Sequence, residues 1–419
     1  MKISSKSMTK IILLLTLGFL FRCIFALLHK GFTSDMSWFA FWAHRAYKGG
    51  FSAFYSTDIL TDYPPGYIYI LYVIGALHSV LELDYLSPLS MFLLRLPAIL
   101  CDLGTCYIIY RVAVKRFSEL HSLMITAFYL FNPAVILNSS IWGQVDSIFV
   151  LMVLIMVLLL MEEKNISAYY VYAVGILLKP QTIIFTPLLL FGIYENVFAK
   201  DFSLNKFWKN LLCGLGAIAM MILVSLPFGL DKVFSQYVST LNSYPYLSVN
   251  AYNLWALLGK NWASQNANFL FFTYKELGTI IIVILVLFSA FVFLKRRTSA
   301  DRYFLSGSFI SLTMFLFCTR MHERYLYPVM LMLLMAFIMT GSKYMMYSYL
   351  ILTFCHFLNV WHVLTYYTSM NFQGFLKTVP ALSLVMIEGA HYFYYSLYRI
   401  ISGKGDVPLT LPFQNKSNG

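Results

Sequence analysis

Long apolar stretches recur along nearly the whole chain, and they constrain its fold more than any other feature. The first, near residues 10–28, holds Arg22 as its one internal charge. A helix needs about 20 mainly apolar residues to cross a bilayer. Only 11% of the residues are charged, against roughly 25% in soluble domains. The sequence therefore predicts an all-α, polytopic integral membrane protein.

The apolar stretches predict about 12 membrane helices, within a range of about 11 to 13. They lie near residues 10–28, 90–112, 119–138, 147–161, 167–178, 182–195, 208–228, 277–294, 302–318, 327–340, 344–362 and 380–398. A further apolar stretch, 67–81, begins after two prolines. Because the loop after 90–112 contains Arg111, Lys115 and Arg116, the positive-inside rule makes that loop cytoplasmic. With a cytoplasmic N-terminus, that loop is cytoplasmic only if an even number of spans precedes it, which requires that 67–81 does not cross. We therefore interpret 67–81 as an interfacial or re-entrant helix.

The distribution of Lys and Arg predicts both termini in the cytoplasm, with an uncleaved first helix. Two long loops, 29–89 and 229–276, then lie on the outer face. We expect one integral membrane domain over residues 1–419, with its function on that face.

Charge and cysteine usage exclude two other classes of function. The net charge of +12 would suggest nucleic acid in a soluble protein, but here the positive-inside rule accounts for it, so no nucleic-acid partner is expected. The six cysteines lie within or at the ends of apolar runs without CxxC spacing. They predict neither disulfides nor a zinc site.

Acidic residues next to the predicted outer ends of spans are functional candidates, because polar groups at membrane depth are costly. Asp35 follows the first span and shares a helix face with Trp38 and Trp42, which places a carboxylate beside an aromatic surface. Asp62 precedes Tyr63 and two prolines. The alternative for both aspartates is a structural helix cap.

Two polar segments interrupt later apolar stretches. Residues 138–147 predict a polar hairpin that contains Trp142, Gln144 and Asp146; a simple turn is the alternative. Lys179 and Gln181 flank a proline within an otherwise continuous apolar run. Lys179 is either a snorkelling lysine or an anion ligand at a broken helix.

A basic cluster lies between two late spans. It contains Arg320, His322, Glu323 and Arg324, and guanidinium is the side chain best matched to a phosphate. The alternative is a structural pair between Glu323 and an arginine. The chain has no HExxH motif, and its acidic residues and histidines come from separate loops, so no metal site is predicted.

In this order, the clusters resemble the GT-C superfamily of membrane glycosyltransferases, which use polyprenyl-phosphate sugars. The nearest pattern is that of the endoplasmic-reticulum glucosyltransferases that build the asparagine-linked glycan precursor, and the resemblance covers nearly the whole chain. The matching segments are Asp35 to Trp42, Asp62-Tyr63-Pro64-Pro65, Asp102-Leu103, Tyr252-Asn253-Leu254-Trp255 and His322-Glu323-Arg324. Trp142 to Ser147 and Lys179 to Gln181 resemble segments of bacterial mannosyltransferases related to the second-mannose enzyme of GPI-anchor synthesis. Arg324 stands where the glucosyltransferases have lysine, which leaves the sugar and the acceptor open.

The resemblance implies transfer of a hexose, mannose or glucose, from a polyprenyl-phosphate sugar to a hydroxyl of a lipid-linked or surface glycan, without a cofactor. Because the phosphate is already a good leaving group, one base suffices, and Asp35 is the candidate for an inverting attack. The candidate ligands of the donor phosphate are His322, Arg324, Arg320 and Lys179. The candidate second acidic or orienting residues are Asp62, Asp146 and Glu323. The candidate substrate-binding residues are Trp38, Trp42, Tyr63, Trp142, Gln144, Gln181 and Asn253.

Two other classes of function have less support in the sequence. A lipid or solute transporter should show internal repeats with broken helices at matching positions, and we find none. A lipid-linked glycan polymerase or ligase should carry a strongly basic loop in its second half, whereas 229–276 holds only Lys232, Lys260 and Lys275. We expect a multi-pass protein of a bacterial plasma membrane, or of the ER membrane if the source is eukaryotic, with an outer or lumenal active site.

Overall fold

The computed structural model of the protein describes residues 4–56, 61–199, 202–369 and 372–404. Its regular structure is almost entirely helical, which confirms the all-α class. Lys2, Lys200 and Lys416, which the topology prediction assigns to the cytoplasm, are not among the described residues.

Most of the long helices follow the predicted apolar segments, whereas α11 and α12 lie in the predicted loop 229–276. In chain order they are α1 (Ser5–Leu28), α2 (Thr33–Gly49), α3 (Pro65–Val80), α4 (Pro88–Ala113), α5 (Glu119–Leu130), α6 (Pro133–Ile136), α7 (Asp146–Met161), α8 (Asn165–Leu178), α9 (Thr186–Val197), α10 (Leu204–Ser225), α11 (Leu230–Asn242), α12 (Leu254–Leu257), α13 (Tyr274–Lys295), α14 (Arg302–Phe317), α15 (Tyr327–Thr340), α16 (Lys343–Ser369) and α17 (Phe372–Ile401). A π-helix (Leu137–Trp142) and 3-10 helices (Pro180–Phe185, Leu226–Phe228, Glu323–Leu326) complete the helical structure. The strands are β1 (Ser248–Val249), β2 (Asn268–Phe269), β3 (Phe272–Thr273) and β4 (Met321–His322).

Six helices among the described residues are long and apolar enough to cross a membrane. They are Ser5–Leu28, Pro88–Ala113, Leu204–Phe228, Tyr274–Lys295, Glu323–Thr340 and Lys343–Tyr366. The number becomes seven if the interrupted pair Glu119–Leu130 and Pro133–Trp142 forms one span. Integral membrane character is therefore confirmed, whereas the expected number of about 12 spans is not.

Two sequence expectations are wrong in detail. The stretch 119–138 is not one continuous helix, because it is interrupted before Pro133, whose ring cannot continue a helix interior. The segment 138–147 is not a hairpin, since residues up to Trp142 continue as the π-helix and only Gly143 to Val145 form the turn before α7.

The chain divides into two compact units. The early unit comprises Phe19–Asp102 and Ile136–Pro245, and the late unit comprises Met1–Gly18, Leu103–Val135 and Tyr246–Gly419.

The early unit is built around the packing of α2 on α3, which is close because Gly75 has no side chain. A Cβ at Gly75 would lie 2.1 Å from the carbonyl oxygen of Ala43. Aromatic residues of both helices form the core here: Phe39, Trp42 and Tyr67 are all at most 3% exposed. The tight contact holds α2 against α3.

In the late unit, α13 to α17 pack consecutively along the chain. Helix α15 lies at the centre, with every residue from Tyr327 to Met339 buried. Asn132 donates hydrogen bonds to the hydroxyl oxygens of Tyr349 at 2.7 Å and Thr353 at 3.0 Å. The short strands β1 and β4 pair in parallel, with Val249 opposite His322.

Candidate active site

The turn between α1 and α2 is held by a buried arginine. Arg95 is fully buried, and its Nη1 donates to the backbone oxygens of His29, at 2.9 Å, and Ala26. These oxygens lie at the C-terminal end of α1, where carbonyls lack partners within the helix. Gly31 makes the turn with φ of 77°, and a Cβ there would approach the carbonyl oxygen of Trp142 to 2.8 Å. Only glycine therefore fits between Arg95 and the end of the π-helix.

Asp35 lies in the first turn of α2, and its side chain does not cap the helix. The N-cap residue is Phe32, and no side chain caps this end. Instead, Asp35 Oδ2 accepts hydrogen bonds from Trp142 Nε1, at 2.9 Å, and from Gln144 Nε2. No residue in the described part of the chain donates to Oδ1. The capping alternative for Asp35 is therefore wrong, and the carboxylate has one oxygen held and one available.

The groups that hold Asp35 are themselves fixed. Trp142 and Gln144 are each 2% exposed, and the ring of Trp142 stacks on Phe32 with centroids 4.7 Å apart. Gly143 connects them with φ of 96°, a backbone conformation that favours glycine. The hydroxyl of Tyr63 lies 3.5 Å from Gln144 Oε1. The Trp-Gly-Gln segment thus presents two N–H donors to one carboxylate oxygen.

The aromatic residues beside Asp35 differ in accessibility. The rings of Trp38 and Trp42 lie 6.0 Å apart, as expected for one helix face. Trp42 is only 3% exposed and packs against Tyr63, whereas Trp38 is half-buried. Trp38 is therefore the more accessible indole for a substrate, and Trp42 belongs to the core.

Asp62 lies near the start of α3 without capping it. The N-cap residue is Pro64, again without a side-chain cap, so the capping alternative is wrong for Asp62 as well. Asp62 lines a narrow cleft together with Pro180 and Gln236. Gln236 of α11 donates a hydrogen bond to the carbonyl oxygen of Thr61. Helix α11, in the segment predicted to be the second outer loop, thereby fastens the segment that carries Asp62.

Lys179 and Asp146 form a buried ion pair in the early unit. Lys179 is 3% exposed and Asp146 2% exposed; Nζ donates to Asp146 Oδ1, while Oδ2 accepts from Asn138 Nδ2 at 3.0 Å. Lys179 has extended backbone angles at the break between α8 and the 3-10 helix that begins at Pro180. The helix is broken as predicted, but the ammonium does not snorkel, because a carboxylate holds it inside. Half-buried Gln181 follows in the 3-10 helix.

A second buried pair, which the sequence analysis did not assign, joins α1 and α4. Arg22 Nε lies 3.4 Å from Asp102 Oδ2, and both side chains are fully buried. Ser139 Oγ donates to the same oxygen at 2.6 Å. The sequence did contain a signal for this pair, because Arg22 and Asp102 are opposite charges on two apolar helices and intramembrane charges pair with one another.

In the late unit, the predicted basic cluster follows β4. Arg324 Nη1 lies 2.8 Å from Glu323 Oε1, and the arginine side chain keeps 18% exposure against 4% for the glutamate. His322 is 7% exposed and its ring lies 5.0 Å from that of Tyr325. The structural pairing of Glu323 with an arginine therefore does occur, next to a partly accessible guanidinium.

Two other predicted residues have structural partners in this unit. Asn253 caps α12 by accepting from the N–H of Ala256 at 3.1 Å, and its Nδ2 donates to the carbonyl oxygen of Phe315 at 3.2 Å. Arg320 Nε donates to Gln265 Oε1 at 3.0 Å, and burial lowers the pKa of Arg320. Burial, and secondly the charge of Glu323, raise the pKa of Tyr252 well above its ordinary value.

No three His, Cys, Asp or Glu side chains form a group that could hold a metal within the residues that the structure describes. The early unit brings together the oriented carboxylate of Asp35, the half-buried indole of Trp38 and the buried guanidinium of Arg95 behind the turn. A carboxylate held in this way can accept a proton from a bound hydroxyl.

Comparison with known proteins identifies one family. The model of glycosyltransferase family 87 matches residues 61–319. Among solved structures, the chain is similar to the crystal structure of ArnT from Cupriavidus metallidurans bound to undecaprenyl phosphate, with 12% sequence identity, a TM-score of 0.48 and coverage of 94% of this chain and 78% of that chain. A search of curated proteins gave no match. The matched range contains Asp62, Asp146 and Lys179.

Proposed function

The chain belongs to glycosyltransferase family 87, and from that premise we propose that it transfers a hexose, mannose or glucose, from a polyprenyl-phosphate sugar to a glycan hydroxyl. Asp35 is the general base, and the configuration at the anomeric carbon is inverted. Membership of a glycosyltransferase family leaves the transporter alternative without support.

The asymmetric hydrogen bonding of Asp35 is the observation that carries this proposal. Oδ2 accepts from two buried N–H donors, which fix the plane of the carboxylate. Oδ1 has no donor among the described residues and is therefore available to a hydroxyl. A positioned base of this kind contributes roughly 10²- to 10⁴-fold to a rate.

The proposed chemistry explains why one accessible carboxylate is enough. A glycosidase needs a second carboxyl group to protonate its leaving oxygen, but a phosphate leaves without protonation. The acceptor oxygen attacks the anomeric carbon from the side opposite the phosphate and gives its proton to Asp35. Asp146 and Asp102 each hold a buried cation instead, and we assign them to positioning.

We assign the donor phosphate to Arg324, His322 and Arg320. Guanidinium forms two parallel hydrogen bonds to phosphate, and Arg324 keeps 18% of its side chain exposed. Lys179, the fourth predicted ligand, is 4% exposed at its side chain and already donates to Asp146. We therefore assign Lys179 to holding Asp146 rather than to the phosphate.

We further propose that the chain acts as one domain in a bacterial plasma membrane, with Asp35 on the outer face. Three shorter apolar helices, Asp146–Met161, Asn165–Leu178 and Arg302–Phe317, bring the number of spans toward the expected value of about 12 when they cross as well, whereas Pro65–Val80 stays on the outer side. The acceptor is a lipid-linked or surface glycan.

The test is transfer by the purified protein in detergent. Polyprenyl-phosphate mannose and polyprenyl-phosphate glucose are each incubated with extracted lipid-linked glycans, and mass spectrometry follows addition of one hexose. Asp35→Asn should lose transfer by about 10²- to 10⁴-fold while elution stays monodisperse. The asparagine oxygen can still accept both N–H donors, so the fold is retained while the base is lost.

Asp84→Asn is the matched control, because Asp84 is an exposed aspartate of the same loop. It should transfer like the wild type. An active Asp35→Asn variant would overturn the assignment of the base, and absence of transfer from both donors by the wild type would overturn the donor class.

A further inference from the structure

A polar pocket of about 340 Å³ lies in the early unit at the N-terminal end of α8. Lys164, Lys206 and Lys209 line it, and Glu163 supplies one carboxylate. Lys164 also pairs with Glu162 at 2.7 Å. The lysines outnumber the acidic groups, so the pocket favours an anion.

The start of α8 has hydrogen-bond donors without acceptors. Its N-cap residue, Lys164, makes no side-chain cap, and the first N–H groups of a helix have no intrahelical partner. Asn165 lines the same pocket, is 8% exposed, and its buried Nδ2 has no hydrogen-bond partner among the described residues. A buried amide donor without an acceptor is costly, and it indicates that an acceptor from a ligand belongs here.

An apolar groove of about 430 Å³ shares Asn210 with this pocket. Side chains of α8, α9 and α10 line the groove, among them Tyr172, Leu189 and Leu215. Gly214 leaves room beside Tyr169, since a Cβ there would lie 3.8 Å from that ring. A ligand that enters both volumes would need an anionic head and a hydrocarbon chain.

We propose that this pocket and groove bind one anionic glycerophospholipid, with the phosphate between the three lysines and the start of α8 and an acyl chain along the groove. Helix N-termini bind phosphate, and basic pockets between membrane helices bind anionic head groups. The site is distinct from the candidate active site. Helix α8 has 14 residues, about 21 Å at 1.5 Å per residue, and Lys179 lies at its other end.

The test uses the full-length protein, delipidated in detergent and titrated with phosphatidylglycerol, with bound lipid counted by native mass spectrometry. The triple variant Lys164→Gln, Lys206→Gln, Lys209→Gln should bind about a hundredfold more weakly, since each lysine contributes roughly fivefold. The matched control, Lys48→Gln, Lys115→Gln, Lys295→Gln, removes three charges from exposed lysines elsewhere and should bind like the wild type. Gly214→Leu fills the groove and should weaken binding while the lysines remain.

Three further titrants separate the sources of the phosphate. Phosphatidylcholine and inorganic phosphate should both bind far more weakly than phosphatidylglycerol. Equal binding of phosphatidylcholine would show that the lysines do not select an anion, and equal binding of inorganic phosphate would show that the groove takes no chain. Tighter binding of a polyprenyl phosphate that is lost in the lysine triple variant, and so occurs at this pocket and not at the proposed donor site, would overturn the proposed occupant. Undiminished binding of phosphatidylglycerol by the triple variant would overturn it as well.

Discussion

Replacing Trp142 with phenylalanine should slow transfer without disrupting the fold. The change removes the Nε1 donor that lies 2.9 Å from Asp35 Oδ2 but keeps an aromatic ring against Phe32. Hydrogen bonds to charged groups contribute about 1.5 to 3 kcal/mol, and each 1.36 kcal/mol in the barrier is about tenfold in rate. Because Gln144 still holds the same oxygen, the expected loss of kcat is about tenfold to a hundredfold, smaller than that of Asp35→Asn.

The assay is initial-rate transfer with the donor that the wild type accepts, alongside thermal unfolding in the same detergent. Trp262→Phe is the control, because the Trp262 indole also donates a 2.9 Å hydrogen bond, to Asn250 Oδ1. Because Trp262 is 40% exposed and Trp142 only 2%, the control should cost less thermal stability than Trp142→Phe, and it should leave kcat within about twofold. The KM for the donor should stay near the wild-type value in both variants, since neither indole is assigned to the donor.

Two results would refute this reasoning. Wild-type kcat for Trp142→Phe would mean that the indole does not orient the base. An equal fall in kcat for Trp262→Phe would mean that the loss reports general destabilisation rather than the position of Asp35.

Three further predictions concern the other charged residues. Arg324→Ala should raise the donor KM or lower kcat/KM by about tenfold to a hundredfold, and Arg324→Lys should restore part of it, as measured in the same transfer assay. Lys179→Met should destabilise the protein by about 3 to 5 kcal/mol because Asp146 would remain buried and unpaired; thermal unfolding should show recovery when Asp146→Asn is added. Asp62→Asn disturbs no helix cap and should retain at least about tenfold more transfer than Asp35→Asn, because only Asp35→Asn loses the general base and its contribution of roughly 10²- to 10⁴-fold.

The sequence predicted the residues of the candidate site better than their partners. Asp35, Trp142 and Gln144 were all candidates, because each lies beside an apolar run. Their contact joins positions 107 and 109 residues apart, and nothing in local spacing specifies such a pair. Local spacing also does not specify the pair of Lys179 and Asp146. This pairing is what assigns Lys179 to a structural role rather than to the donor phosphate.

One wrong prediction concerns a segment whose local sequence already contained the opposite signal. Pro133 marks the interruption in the predicted 119–138 span, since proline cannot continue a helix interior. The capping hypotheses for Asp35 and Asp62 failed for a different reason. The N-cap residues are Phe32 and Pro64, and neither helix start has a side-chain cap. Arg95 carries no motif, and its role depends on the glycine turn that packs against it.

The buried pair of Arg22 and Asp102 has a consequence for how the protein is made. Arg22 enters the bilayer on α1, whereas the carboxylate of Asp102 follows 80 residues later in the chain. At about 5 to 20 residues per second, the ribosome leaves this guanidinium unpaired for roughly 4 to 16 seconds. An arginine at a helix centre costs about 2.5 to 3.5 kcal/mol on insertion, which the apolar residues of α1, with a mean hydropathy of 2.6 over an 18-residue window, help to offset. The nascent α1 must therefore wait, either beside the translocon or shielded by lipid head groups and water, until α4 arrives to neutralise it.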